Sequence, residues 1–288
     1  MNTLSKTLLS LAIISVSFLF FIYSTKEPVK NTSDSYQIKA LKIPNNLTFS
    51  GEKIPLDKPD IRERIDKELL VNTYWQSNAL LLIKRSNKYF PIIEPILEKH
   101  GIPNDFKYLA VIESGLENVT SSAGAKGFWQ LMPHTAKEIG LEVNSNVDER
   151  YNIEKSTEAA CNYLLKSKEK FGTWTLAAAA YNAGNRGIER NQKKQKVTSY
   201  YDLLLSSETQ RYLPRIIAIK EILSHPQHYG FIYDQEDLYN LEKTKQITVD
   251  TAIQNIASFA QQLNCNYKEL KLHNPWLREN HLNNKSKK

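Results

Sequence analysis

Cysteine is scarce in this chain: there are two in 288 residues, Cys161 and Cys265, far apart in sequence. A disulfide framework needs more, and neither cysteine stands in a CxxC pair. No HExxH stretch and no cluster with zinc spacing occurs, and His225 and His228 of "SHPQHYG" make a poor metal site by themselves. No metal and no cofactor is implied. Both thiols read as small buried apolar side chains. Also missing is any interleaving of basic and aromatic residues, the footprint of a nucleic-acid surface, so no nucleic acid is expected as a partner. The net charge of +7 and pI near 9.1 suit an anionic partner such as a wall polymer or lipid head groups, or serve solubility alone. The densest basic run is Lys193, Lys194 and Lys196, with a second in the tail from Lys285.

Charge is absent altogether from Thr7 to Thr25, between Lys6 and Lys26. That is about the length a helix needs to cross a hydrocarbon core. The stretch also resembles the apolar part of a signal peptide, but no Ala-x-Ala ending follows and no cysteine is placed to take a lipid. Residues 1–25 are therefore expected to be a signal anchor in preference to a cleaved signal peptide. The remainder is expected to be exported to the periplasm, tethered to a membrane by residues 7–25.

What is present is an ordinary globular composition, 41% hydrophobic and 24% charged. Residues 26–60 are polar, contain Pro28, Pro44, Pro55 and Pro59, and read as a linker with short extended pieces. Helical periodicity begins at Ile61. Pro91 and Pro95 mark a second helix, "PIIEPILEKHG", and Gly101 caps it. Further helices follow in "NDFKYLAVIESG", "VDERYNIEKSTEAACNYLLKSKEKFG", "TWTLAAAAYNAG" and "SSETQRYLPRIIAIKEIL". In the second of these, Ala159, Ala160, Tyr163, Leu164 and Leu165 are expected to face in. Nothing between 61 and 225 alternates with period two, so the main domain is mostly α. Residues 245–282 differ: "QITVD" suits a strand, "TAIQNIASFAQQLNC" a helix and "NYKELKLHNPWL" a shorter one. This is a small appended module.

One residue breaks the pattern. Phe106, Leu109, Ala110 and Glu113 fall at i, i+3, i+4 and i+7, which puts an acid on an apolar stripe. A carboxyl packed among apolar groups loses hydration in its charged form, so its pKa rises. An acid still protonated near neutral pH can hand its proton to a leaving oxygen, the step that glycoside cleavage needs. The plainer reading is a partly exposed Glu at a helix end, paired with Lys or Arg.

The ordered segments Glu113-Ser114, Ser121-Ser122 before Gly124-Ala125 and Gly127, Gln130, and Ala180-Tyr181-Asn182 resemble the lysozyme-like lytic transglycosylases of the family 1 type, and within them the membrane-bound murein transglycosylase D group. The resemblance spans roughly residues 85–230 of a 61–230 domain. It implies a mostly α, lysozyme-like (goose-type or soluble lytic transglycosylase) catalytic domain with a small C-terminal α/β module, and peptidoglycan glycan strands as substrate. Glu113 is then the catalytic acid at the bond between N-acetylmuramic acid and N-acetylglucosamine, and afterwards the base that takes the muramoyl C6 hydroxyl proton, leaving a 1,6-anhydro product. Ser114, Ser122, Gln130, Met132, Tyr181 and Asn182 are implied to bind substrate, with Tyr181 in hydrogen-bond reach of Glu113. Trp129 either stacks on a sugar or anchors the core. Glu117 is expected on the solvated surface, and Asp148 and Arg150 as a cap or ion pair. Residues 245–282 resemble a LysM glycan-binding fold in degenerate form, lacking the Gly-Asp of the first loop and a clear last strand. Two rivals remain: a goose-type muramidase that cleaves the same bond with water, and a non-catalytic wall-binding scaffold on the same fold.

Overall fold

Proline placement starts the helical part of the molecule. In the computed structural model, which describes residues 38–285, Pro59 opens helix α1 (Pro59–Tyr74) at the position where a missing N–H costs nothing. Ile61, Ile65 and Leu69 form its buried stripe, and Glu68 lies on the same face. Helix α2 (Gln76–Lys99) runs unbroken through both of its prolines, where the sequence predicts an interruption. Pro91 and Pro95 sit one turn apart on the exposed face, so the carbonyls they leave unbonded lie on the wet side, while Ile93 and Leu97 are fully buried opposite them. Among the described residues no helix is long and apolar enough to cross a membrane. The expected signal anchor, and the linker up to residue 37, lie outside the described residues.

The rest of the expected linker is not a spacer. Thr48–Phe49 (β1) and Glu52–Lys53 (β2) pair antiparallel around Ser50 and Gly51, whose positive φ of 52° and 79° suits a tight hairpin turn. Phe49 and Ile54 are buried, and Phe49 packs edge-on against Phe106 at 5.1 Å between ring centroids. The apolar residues here are too few and too scattered to show a period, which is why the prolines dominate the sequence reading.

Five helices complete the core: α3 (Lys107–Ser114), α5 (Ile153–Phe171), α6 (Trp174–Ala183), α7 (Asn185–Gln195) and α8 (Ser207–Ser224), with the short α4 (Pro133–Glu138) between α3 and α5. Asn152, Thr173 and Ser206 cap α5, α6 and α8 by accepting backbone N–H bonds. On α5, Ala159, Ala160, Cys161 and Leu164 face in, whereas Leu165 is exposed and Tyr163 half-buried, a displacement of the stripe from its expected position. Burial pushes the Cys161 thiol up to about 12, which makes it inert. Helix α6 places Ala177, Ala178, Ala179 and Ala180 wholly inside, packed between α5, α7 and α8. The Glu52 carboxylate of β2 accepts from Trp174 N at 2.6 Å and Thr175 N at 2.9 Å, adding negative charge at the positive end of α6. Helix α8 packs along α1, where buried Glu68 accepts from Arg211 Nε at 2.6 Å and pairs with Arg215 at 3.5 Å.

The C-terminal module contains α9 (Ile256–Gln262) and α10 (Tyr267–His273), each capped by an Asn. "QITVD" forms no strand. The module's own β pairing is one antiparallel bridge between Ile253 and Leu282, with both N–H···O distances 2.8 Å. The α9 helix is shorter than its apolar pattern because Asn255 starts it late, leaving Ile253 in the bridge.

Candidate active site

The acid sits where a helix is forced to stop. Gly115, at φ 63°, ends α3 by donating its N–H to Val111 O at 2.8 Å, and Leu116 follows at φ 58° with its side chain buried. Two left-handed residues in succession turn the chain away and leave Glu113 in the last turn, half-buried, facing α8. Its Oε1 accepts from the hydroxyl of Tyr212, which is 5% exposed. Burial is the main cause that raises the Glu113 carboxyl from 4.5 to about 7; the Tyr212 hydrogen bond opposes it, Glu208 adds to it and Arg215 opposes it. Near neutral pH the group is thus divided between acid and carboxylate, so one side chain can give a proton and take one back.

The segment after α3 folds back over that turn. Ser121 N donates to Ala125 O at 2.9 Å and Ala125 N to Ser121 Oγ at 3.0 Å, closing the small-residue loop. Lys126 and Leu131 exchange both backbone bonds at 3.2 Å, and Gln130, at φ 45°, completes a turn by bonding Gly127 O. Gly127 has no substitute here: a Cβ on it would lie 1.9 Å from Arg150 O. Arg150 is 3% exposed. It forms a two-pronged pair with Asp148 at 2.9 and 2.8 Å, and its Nη1 donates to Gly124 O and Leu131 O, both at 3.1 Å. Asp148 also caps the 3₁₀ turn at Glu149–Tyr151.

The expected site residues divide on this frame. Ser114 lies beside the acid, but its hydroxyl donates to Ala110 O at 3.1 Å and Phe128 O at 2.9 Å, joining helix to loop. The Gln130 amide donates to Gly127 O at 2.8 Å and Val119 O at 3.2 Å, so it holds the turn. Trp129 is fully buried, with Nε1 donating to Thr157 Oγ1 at 2.8 Å: it is a core anchor and does not stack on a sugar. Tyr181 comes close enough for the Glu113 charge to raise its phenol further, yet its hydroxyl donates to Trp129 O at 2.7 Å. The hydrogen bond expected from Tyr181 to Glu113 is made by Tyr212. Asn182 donates to Glu208 Oε1 at 3.1 Å and accepts from Thr209 Oγ1 at 2.8 Å, which ties α6 to the first turn of α8. Ser122 is exposed at the loop tip and Met132 is exposed before α4; among the described residues no hydrogen bond joins either to Glu113. Glu117, exposed, pairs at 2.8 Å with Arg85.

Tyr212, Glu208 and Arg215 were open to discovery in the sequence. In "SSETQRYLPRI" they fall at i, i+4 and i+7 from Glu208, a polar stripe on a helix otherwise read only for its apolar face. Replacing Tyr212 with Phe removes the donor that favours the charged Glu113. Carboxyl carbon NMR should then show Glu113 titrating above pH 7, with proton affinity up roughly tenfold for a lost charge-assisted bond. Among the described residues no group of three or more His, Cys, Asp or Glu is placed to hold a metal.

Comparison with known proteins adds to this geometry. Residues 90–204 match the model of the transglycosylase SLT domain, and residues 245–288 that of the soluble lytic transglycosylase C-terminal LysM-like domain. The membrane-bound lytic murein transglycosylase D of Escherichia coli K12 is 32% identical over 191 residues, which cover 63% of this chain and 41% of that protein; its counterpart in E. coli O6:H1 gives the same figures. The chain therefore spans about two fifths of the length of these relatives. The X-ray structure of an inactive mutant of lytic transglycosylase Slt from Pseudomonas aeruginosa aligns with a TM-score of 0.41 and 20% identity, over 54% of this chain and 27% of that one. Residues 90–204 thus match the transglycosylase SLT domain and are similar to part of lytic murein transglycosylase D, and residues 245–288 match a LysM-like domain.

Proposed function

We propose that this chain is a peptidoglycan lytic transglycosylase that cleaves the β-1,4 bond between N-acetylmuramic acid and N-acetylglucosamine. The observation that carries the reading is the Glu113 carboxyl: half-buried, bonded by Tyr212, and poised near pH 7. In its acid form Glu113 protonates the glycosidic oxygen as the bond to the muramoyl anomeric carbon breaks, and N-acetylglucosamine leaves with the proton. The muramoyl acetamido group supports the positive charge left on the sugar. The carboxylate then takes the proton of the muramoyl C6 hydroxyl as that oxygen bonds to the anomeric carbon. The proton count on Glu113 is restored, no water is consumed, and the product ends in a 1,6-anhydro ring.

The roles of the other residues follow from their contacts. Tyr212 orients the acid and Arg215 moderates its charge, while Tyr181 and Ser114 fix the loop that walls the site. Ser122 and Met132 are exposed on and beside the loop, where they can meet a glycan strand, while the Gln130 and Asn182 amides, bonded within the protein, shape its wall. The uncharged stretch from Thr7 to Thr25 supports export and a membrane tether, and the net charge of +7 suits an anionic wall polymer.

Digestion of purified sacculi should release muropeptides whose muramoyl ends are lighter by one water than free reducing ends, read by mass spectrometry. Free reducing ends would instead establish the muramidase, and an absence of release would establish the scaffold.

A further inference from the structure

The small core of the appended module takes in one residue from outside the module. Its buried cluster consists of Ile253, Ile256, Leu277 and Leu282 together with Val147, which comes from the segment just before α5. The joint is built from main-chain and amide bonds. Val147 bridges Leu277, Asp148 N donates to Trp276 O at 2.9 Å, and Arg278 N donates to Asn146 O at 3.0 Å. The Asn146 side chain uses both ends: Nδ2 donates to His281 O at 2.8 Å and Oδ1 accepts from Asn283 N at 2.9 Å. The Arg278 guanidinium lies over the Tyr151 ring, 4.4 Å from its centroid.

The residues held in this way also hold the loop that bonds Ser114, the neighbour of the acid. Asp148 orients Arg150, which bonds Gly124 O and Leu131 O. The Tyr151 hydroxyl bonds Thr120 Oγ1 at 2.9 Å, and Tyr151 O accepts from Asn118 Nδ2 at 3.2 Å. The loop in turn supplies Phe128 O to Ser114 and Trp129 O to Tyr181. Segment 146–151 thus bonds the module on one side and the loop on the other.

We propose that the C-terminal module is a brace for the active-site loop: segment 276–283 positions residues 146–151, and these position residues 118–131 beside Glu113. Asn146 and Arg278 are therefore positioning residues for a site they do not touch. The catalytic consequence rests on the proposed function; the mechanical one does not. A free-standing glycan-binding module would share no core residue with its neighbour.

The test uses the full chain carrying Asn146→Ala and Arg278→Ala. Hydrogen exchange of the Lys126 and Leu131 amides, which close the loop, should quicken roughly tenfold or more while α6 amides keep their rates. On glycan, kcat should fall severalfold with KM nearly unchanged. The alkaline limb of the pH profile should move to lower pH, because a loosened loop admits water to Glu113. The other charged or titratable groups around it remain in place: Tyr212, Glu208 and Arg215 on α8, Tyr181 on α6, and Arg85 near Gly115. Arg278→Lys, which keeps a cation over the ring, should restore most of the protection. Unchanged exchange at Lys126 and Leu131, or an equal rise in α6, would overturn the brace, as would a raised KM at constant kcat. If the double variant does not fold, Arg278→Ala alone, which removes the cation over the Tyr151 ring, serves with the same outcomes. A wild type inactive on glycan defeats the proposed function alone, since the exchange result stands without turnover.

Discussion

Glu113→Gln should abolish glycan cleavage, by about a thousandfold or more, while leaving sacculus binding intact. One carboxyl serves both proton transfers in the proposed reaction, and each such role is ordinarily worth a factor of about 10² to 10⁴. The amide keeps the shape and can still accept from Tyr212, so a loss of rate cannot be put down to collapse of the site. Cleavage is measured by release of soluble muropeptides and binding by co-sedimentation with sacculi. Retained cleavage would remove Glu113 from the chemistry altogether.

The same substitution should have a thermodynamic signature. The Glu113 carboxyl is raised from 4.5 to about 7 in the folded protein. Between those values the folded state holds a proton that the unfolded chain has released, so stability is lost as pH rises through that window. The loss is at most about 3 kcal/mol, and less to the extent that water reaches the half-buried group. Urea unfolding of wild type at pH 5 and pH 8 should show this decline, and Glu113→Gln should lack it. The functional residue is therefore expected to be a stability liability at alkaline pH.

Gly127→Ala should cost about 3 kcal/mol or more and in the limit prevent folding. The added methyl would lie 1.9 Å from Arg150 O and 2.8 Å from Arg150 C, both backbone atoms that cannot rotate away, and φ at this position is 78°. Overpacking and left-handed strain each contribute about 1 to 3 kcal/mol. Gly124→Ala is the internal control: φ is 86°, but a Cβ there meets open space, so only the conformational cost of about 1 kcal/mol remains. Thermal unfolding of the pair separates collision from strain. Equal costs would show that Arg150 yields.

How far the sequence discloses this site depends on the kind of residue. Glu113 stands out because an acid interrupts an apolar period, and a period is visible in one dimension. Trp129 and Gln130 are equally visible, but their use is not: the same side chain can face a sugar or the core, and that depends on Thr157 and Val119, distant in sequence. Tyr181 and Tyr212 illustrate a closer ambiguity. Both lie near the acid, and which hydroxyl reaches it turns on the rival claim of Trp129 O, a backbone atom without a sequence signal. In the fold, the helices are legible because their caps and stripes are local. The hairpin at 48–53 and the passage of α2 through two prolines are not, since both depend on what lies across the core. The sharing of Val147 between two modules is invisible for the same reason, as a boundary drawn by composition cannot show which side a side chain falls.

The alanine run of α6 has a last implication. Solvent reaches none of Ala177–Ala180, and neighbouring helices pass close because no side chain exceeds a methyl group. Local opening of such a rod would have to part α5, α7 and α8 together, so this stretch should open only when the whole domain does. Tyr181 is mounted near its end and bonds Trp129 O of the loop at 118–131, so the loop is referenced to a stretch that should open last.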